Sequence, residues 1–260
     1  MPAAHAVVSP GWRAVDLISD LHLHSGDQAT FDMWRRYLLA PAPEADAVFI
    51  LGDLFEVWWG DDVLDTSGPG EAAFLRGCAD VLTAATQRRP VHFMHGNRDF
   101  LVGPHFHERT GVLPLADPCT LQLGEWRYLL SHGDAWCLGD VDYQRFRAEV
   151  RTAAWQSAFQ AQPIAQREAT ALALRQQSEA SKHSRATYTD VDGPTALAAV
   201  LEHQATALIH GHTHRPADLP LAPGLTRHVL SDWDAQALPP RAEVLRLHSD
   251  GRTERLPLLQ

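Results

Sequence analysis

The sequence predicts an α/β fold, and three observations predict it. Short apolar runs end in polar clusters, helix-patterned stretches separate several of those runs, and two turns close antiparallel pairs. The runs are AVDLISD (14–20), ADAVFILGD (45–53), PVHFMHGN (90–97), WRYLLSHGD (126–134) and ATALIHGH (205–212). Each has the length of a buried strand that gives way to a loop at its C-terminal end. The helical stretches are ATFDMWRRYLLA (29–40), EAAFLRGCADVLTAATQ (71–87) and PTALAAVLEHQ (194–204). TLQLGEWRYLL turns at Gly124-Glu125 and AEVLRLHSDGRTERLPLL at Asp250-Gly251, both hairpin signals. The combination predicts two sheets, each with some antiparallel pairing, covered by helices.

Composition bounds the function. The chain has 260 residues and 45% apolar content, enough for one large domain, or one domain with an insertion, around a sizeable core. Its net charge of −10 argues against a nucleic-acid partner, because phosphate contacts need a basic face. Cys78, Cys119 and Cys137 show no C-x-x-C spacing and are expected as reduced thiols of a cytoplasmic protein. The N-terminal stretch lacks the pattern of a signal peptide, and no run approaches the ~18 apolar residues of a membrane span.

Residues 141–190 differ from the rest. They lack strand-like runs and are rich in Ala, Gln and Arg. Tyr143, Phe146, Val150 and Ala154 are spaced to share one helix face, with Trp155 and Phe159 on another. Seven basic and five acidic residues give this stretch a net charge of +2, against −12 for the remainder. The expected organisation is a core of 1–139 and 191–260 with a helical cap inserted at 140–190. The expected membrane-facing groups of the cap are Arg145, Arg147, Arg151, Arg167, Arg175, Lys182 and Arg185, with Trp155 and Phe159 as apolar contacts.

The polar clusters carry the chemistry. They are Asp20-Leu-His22, Gly52-Asp53, Gly96-Asn97-Arg98-Asp99, Ser131-His132-Gly133-Asp134 and Gly211-His212-Thr213-His214. In α/β proteins the C-terminal ends of strands converge on one crevice where ligands bind. Asp20 and His22 are two apart, as are His212 and His214, so on an extended backbone each pair points one way. Carboxylate, amide and imidazole donors without sulfur suit Mn²⁺, Fe²⁺ or Zn²⁺. Their number exceeds the needs of one ion, and Asp53 can bridge two. The neighbouring glycines permit close backbone approach.

The ordered set D-x-H, G-D, G-N-x-D, H-G-D and G-H-x-H resembles the calcineurin-like metallophosphoesterases. GDLFEVWWGDD (52–62), HGNRDF (95–100) and LIHGHTHRP (208–216) narrow the resemblance to the UDP-2,3-diacylglucosamine diphosphatase family of lipid A biosynthesis. It runs from about residue 14 to 234 and is loose within the cap. It implies a four-layer αββα core and hydrolysis of UDP-2,3-diacylglucosamine to 2,3-diacylglucosamine 1-phosphate (lipid X) and UMP, by attack on the uridine-side phosphorus. It also implies a location on the cytoplasmic face of the inner membrane, bound peripherally to the lipid surface, with no obligate protein partner. By the family pattern, Asp20, His22, Asp53 and His214 hold one divalent ion. Asp53, Asn97, His132 and His212 hold the other, Mn²⁺ being the usual metal. Asn97, Arg98 and His212 carry the catalysis. Substrate contacts fall on Asn97, Arg98, Asp140, Tyr143, Ser178, Lys182, Arg185 and His212. Arg98 stands where most of the superfamily has His. It offers a fork of donors to phosphate that His cannot copy.

Other residues have plainer expectations. Trp58 and Trp59 pack in the core or line the pocket mouth. Asp61 and Asp62 are solvated or support the site, Asp134 orients a ligand histidine or makes a turn, and His210 ends a strand. Two further readings stay open: a metallophosphoesterase for a soluble nucleotide or phosphodiester, and a non-catalytic scaffold of the same fold.

Overall fold

The computed structural model of the chain describes residues 2–41, 44–184 and 189–258, with 176–184 described by backbone alone. The strands are β1 (Ala4–Val8), β2 (Ala14–Ile18), β3 (Ala47–Leu51), β4 (Val91–Met94), β5 (Leu113–Leu123), β6 (Trp126–Ser131), β7 (Ala207–His210), β8 (Ala217–Ala222), β9 (Leu225–Val229), β10 (Glu243–His248) and β11 (Thr253–Pro257). The helices are α1 (Gln28–Leu38), α2 (Glu71–Thr86), α3 (Pro104–Thr110), α4 (Val141–Val150), α5 (Ala153–Gln160), α6 (Ile164–Ser184) and α7 (Gly193–Glu202). All five apolar runs become strands, and both hairpins turn where expected, between β5 and β6 and between β10 and β11.

The expectation of two separate sheets is corrected. Hydrogen bonding is continuous through the order β11-β10-β2-β3-β4-β5-β6-β7-β9-β8, with β1 added beside β5. The continuity comes from β5, whose start (Leu113–Leu115) pairs with β4 and whose end (Cys119–Leu123) pairs with β6. Between these halves lies Pro118, which has no N–H for a ladder. The sheet folds there into two leaves that face each other.

Side-chain alternation along the strands builds the layers. Leu17, Phe49, Leu51, Met94, Leu121, Leu130 and Ile209 meet between the leaves. Ile18, Val48, Ile50 and Phe93 point the other way, onto Trp34 of α1, Leu75 and Leu82 of α2 and Phe106 of α3. Leu129 and Leu208 face Ala196 and Val200 of α7. Helix, leaf, leaf and helix make the four-layer αββα arrangement. Local chemistry sets the helix starts. Asp27 accepts from Thr30 N at 3.0 Å to cap α1, and Asp192 accepts from Thr195 N at 2.9 Å to cap α7.

Helices α4–α6 lie between β6 and α7 in the chain. One helix face was expected to carry Tyr143, Phe146, Val150 and Ala154. Instead α4 stops at Val150, and Thr152 caps a new helix, α5, which takes Ala154 away from that face. Trp155 and Phe159 stack at 5.0 Å and turn inward, Trp155 lying 6.1 Å from Phe100. Phe159 is buried and Trp155 half-buried against the first-leaf core, so the pair packs inward and does not form an exposed apolar face. No helix among the described residues is long and apolar enough to cross a membrane. The three cysteines are buried and free.

Candidate metal centre

Strands β2, β3 and β4 run parallel, as do β6, β7 and β9. Their C-terminal ends deliver Asp20, His22, Asp53, Asn97, His132, His212 and His214 to one crevice. His214 Nε2 lies 3.3 Å from both Asp20 Oδ1 and His22 Nε2, and His22 Nε2 lies 3.8 Å from Asp53 Oδ2. Across the crevice His132 Nε2 is 3.7 Å from Asp53 Oδ1 and 3.1 Å from Asn97 Oδ1, which is itself 2.8 Å from His212 Nδ1. Asp20, His22 and His214 could hold one cation, and Asp20, Asp53 and His132 form an overlapping group that could hold another.

The backbone that presents them is not extended. Asp20, His22, Asp53, His212 and His214 all have positive φ, between 48° and 65°. Two-residue alternation therefore does not aim these pairs, as the sequence reading had it. The left-handed conformation costs a non-glycine residue roughly 1–2 kcal/mol. It persists because the loops bind one another: Asp20 N donates to Gly52 O, His22 N to Asp53 O and Trp233 N to Asp20 O, at 3.0–3.1 Å. Glycine is needed at the closest approaches. A Cβ on Gly96 would lie 2.1 Å from Asp53 Oδ1, and one on Gly211 would lie 2.3 Å from Asp20 Oδ2.

The donors fit divalent cations. Asp20 Oδ2 accepts from Ser19 Oγ and His212 N at 2.6 and 2.9 Å, but among the described residues the buried Oδ1 has no well-formed hydrogen bond, with His214 Nε2 at 3.3 Å. Burial opposes the charge of Asp20, yet His214, His132 and His22 hold its carboxyl well below the usual range. Burial pulls His132 down, and the carboxylates of Asp53, Asp20 and Asp134 overcome it, raising the imidazole to about 9. These groups make an anionic pocket that calls for positive charge. His132 Nδ1 donates to Leu51 O at 2.8 Å, which turns Nε2 inward as a lone-pair donor. His212 is pushed down to about 4, by burial first and then by His132, so it is a neutral imidazole with a lone pair to offer.

The structure also places the residues around the donors. Trp58 and Trp59 are each 1% exposed and belong to the core. Asp61 accepts from Gly103 N and Phe106 N at 2.8 and 3.0 Å and so caps α3 from a distance, while Asp62 pairs with Arg167. Asp134 ties down α4, accepting from Arg147 Nε at 2.8 Å and from Tyr143 Oη. The Tyr143 ring then stacks on His212 with centroids 6.0 Å apart. Asp140 caps α4 through Tyr143 N at 3.1 Å. His210 ends β7, as expected. Arg98 N donates to Asp53 Oδ1 at 2.8 Å, and its guanidinium lies 3.6 Å from Glu56. Ser178 and Lys182 fall on the α6 backbone with side chains outside the description, and Arg185 lies outside the described residues.

Of the seven basic residues expected to face lipid, four are engaged by the rest of the protein, Arg145 stays exposed beside Asp142, and Lys182 and Arg185 lie outside the described side chains. Arg147 and Arg151 reach Asp134, and Arg151 also donates to Gly96 O at 2.7 Å. Arg167 is 4% exposed against Trp59 O and Asp62, and Arg175 meets Glu56 at 2.6 Å. These arginines fasten the helices to an acidic core, which costs less than leaving either charge unpaired.

Two carboxylates were missed, Glu56 and Asp232. Glu56 follows Asp53 by three residues, and Oε2 lies 2.8 Å from His22 Nδ1. Burial raises Glu56, but His22, Arg98 and Arg175 outweigh it and bring it down to about 2. Asp232 Oδ2 lies 3.6 Å from His214 Nδ1. Its signal was present: HVLSD is a further apolar run with a polar end, leaving β9.

Residues 14–216 match the model of the calcineurin-like phosphoesterases. The chain belongs to that family. Curated relatives named UDP-2,3-diacylglucosamine hydrolase cover nearly all of it. The protein of Stenotrophomonas maltophilia is 42% identical over 91% of this chain and 95% of its own. That of Chromohalobacter salexigens is 43% identical over 84% and 87%, and that of Bordetella parapertussis 40% over 95% and 94%.

Proposed function

We propose that this chain hydrolyses the pyrophosphate bond of UDP-2,3-diacylglucosamine, releasing 2,3-diacylglucosamine 1-phosphate and UMP in lipid A biosynthesis. The observation that carries the reading is the near-complete coverage by hydrolases at 40–43% identity. The single crevice that gathers the donors of all the polar strand ends supports it.

Asp20, His22, Asp53 and His214 would hold one ion, and Asp53, Asn97, His132 and His212 the other, with Mn²⁺ the proposed metal. Such ions polarise a phosphoryl oxygen and lower the pKa of water. The chain's own part is positional. Asp53 spans both halves, and its Oδ1 fixes the Arg98 backbone, and the Arg98 guanidinium is our proposed contact for the reacting phosphate. There it offers two parallel donors to phosphate oxygens. Asn97 and His212 face the same space from two loops. Tyr143 shapes it by stacking on His212, and Asp140 starts the helix that carries Tyr143. Within the proposed cap over 140–190, Ser178, Lys182 and Arg185 are proposed substrate contacts on the family resemblance alone. Water oxygen joins the uridine-side phosphorus, and the bond from that phosphorus to the bridging oxygen breaks. The lipid phosphate leaves as a stable anion, so no strong general acid is required.

The acyl chains set the location. Drawing each methylene from bilayer to water costs roughly 0.8 kcal/mol, so the protein is read as working at the cytoplasmic face of the inner membrane, bound peripherally. Since Arg147, Arg151, Arg167 and Arg175 are engaged within the protein, docking should change little with salt. Vesicle sedimentation that falls steeply between low and high salt would contradict this. Hydrolysis in ¹⁸O-water tests the reaction: label belongs in UMP, and label in the lipid phosphate would reverse the orientation of attack.

A further inference from the structure

Glu56 joins three parts of the molecule that the sequence keeps apart. Glu56 is 5% exposed. Oε2 meets His22 Nδ1 at 2.8 Å, while Oε1 lies 2.6 Å from Arg175 Nε on α6 and 3.6 Å from Arg98 Nη1. The opposite nitrogen of His22, Nε2, is the one that faces Asp53 and His214. On the other side of the crevice His132 Nδ1 donates to a neutral group, the carbonyl of Leu51. A carboxylate behind an imidazole fixes its tautomer and strengthens it as a ligand, more than a carbonyl does. The two halves of the centre are therefore buttressed unequally.

The same carboxylate is also where α6 meets the strand ends. Ile164, Arg167, Ala171 and Arg175 lie on one face of α6. Ile164 and Ala171 pack on the first-leaf core, and Arg167 reaches Asp62 and Trp59 O. Arg175 is the contact on that face that touches a group bound to a candidate metal ligand. Anything that moves α6 off the core must disturb the carboxylate that orients His22.

We propose that Glu56 is a positioning residue with two linked tasks. It holds His22 for the ion shared with Asp20 and His214, and it makes seating of α6 and retention of that ion depend on each other. This rests on the two-ion reading above.

The test loads the full-length, metal-free protein with Co²⁺. It follows stoichiometry and affinity by the visible absorption of the bound ion, and α6 by amide hydrogen exchange. Glu56→Ala should weaken one of the two ions roughly 10–100-fold, leave the other near its parental affinity, and speed exchange along α6. Glu56→Gln, nearly isosteric and still an acceptor for His22, should fold normally. It should weaken the same ion less and still loosen α6. Arg175→Ala should loosen α6 at any Co²⁺ concentration, and Co²⁺ should slow α6 exchange in the parent more than in this variant. Parental affinity for both ions in Glu56→Ala and Glu56→Gln would overturn the positioning role, as would equal weakening of both ions in Glu56→Gln. Unchanged α6 exchange in all three variants would overturn the link. A parent that binds one ion would break the two-ion reading instead, and the role of Glu56 would still be read from the affinity of that ion.

Discussion

Asp16 and Asp20 leave the same strand region four residues apart, both at 0% exposure, yet they are different kinds of buried carboxylate. Asp16 is met by the chain itself. Arg246 Nε and Nη2 donate to it at 2.7 and 3.1 Å, and Tyr37 Oη at 2.8 Å. Asp20 has a serine hydroxyl and a backbone N–H on one oxygen and, among the described residues, no well-formed hydrogen bond on the other, with histidines as its neighbours. A permanent guanidinium completes the first site, whereas the second is completed by positive charge from outside the chain. An ion pair that is closed in this way holds the fold, and a carboxylate left open can do chemistry. The backbone follows the same division. Positive φ gathers at the open site, while Asp16 lies in regular strand.

The largest expected effect is at the open site. Asp53→Ala removes the carboxylate between both halves, so turnover of the diacylated UDP-sugar should fall by roughly 10⁴-fold, over 5 kcal/mol of transition-state stabilisation. Bound Mn²⁺, measured by mass spectrometry, should fall with it. Parental activity at parental metal content would erase the contrast. Asp16→Ala should do the reverse, costing about 3 kcal/mol of stability because it takes from Arg246 its buried partner and leaves it the exposed Glu44. The denaturant midpoint should move while metal per folded chain does not, and a variant that keeps its midpoint but loses metal would put Asp16 in the centre after all.

Two buried imidazoles extend the comparison, since carboxylates raise His132 to about 9 whereas burial alone pushes His92 down to about 4. His92 stacks on Phe49 at 4.5 Å, and neither ring nitrogen has a hydrogen-bond partner. Unfolded, it would take a proton near 6.5; folded, only near 4. Between these values the unfolded chain binds more protons, so stability is full above 6.5 and declines as pH falls towards 4. The loss amounts to at most about 3 kcal/mol. His92→Phe keeps the stacking and should flatten that acid limb in denaturant titrations, and an unchanged limb would assign it to other groups. The smallest effect is expected for Arg98→His, which gives up a charged fork worth about 1.5–3 kcal/mol. KM for the substrate should rise by roughly 10–100-fold at unchanged metal content. Loss of metal would make Arg98 a support of the centre and not a phosphate contact.

The sequence by itself determined the strand runs and the donors at their ends. An apolar run of strand length has to be buried, and a polar cluster that follows it has to surface at the end of a sheet, so both are written in neighbouring residues. Asp20, His22, Asp53, Asn97, His132, His212 and His214 were all legible in this way, and so was the helical character of 141–184. What meets these residues from far along the chain was not legible. Arg246 closes on Asp16 across 230 positions, and Arg175 reaches back to Glu56 from another helix. Arg147, Arg151, Arg167 and Arg175 look like part of a basic face in sequence and are fasteners in the structure, because whether a charge is paired depends on what is packed opposite. The left-handed backbone at five of the site residues is likewise a tertiary decision. Local sterics disfavour that conformation, and the interlocked loops and packed leaves impose it.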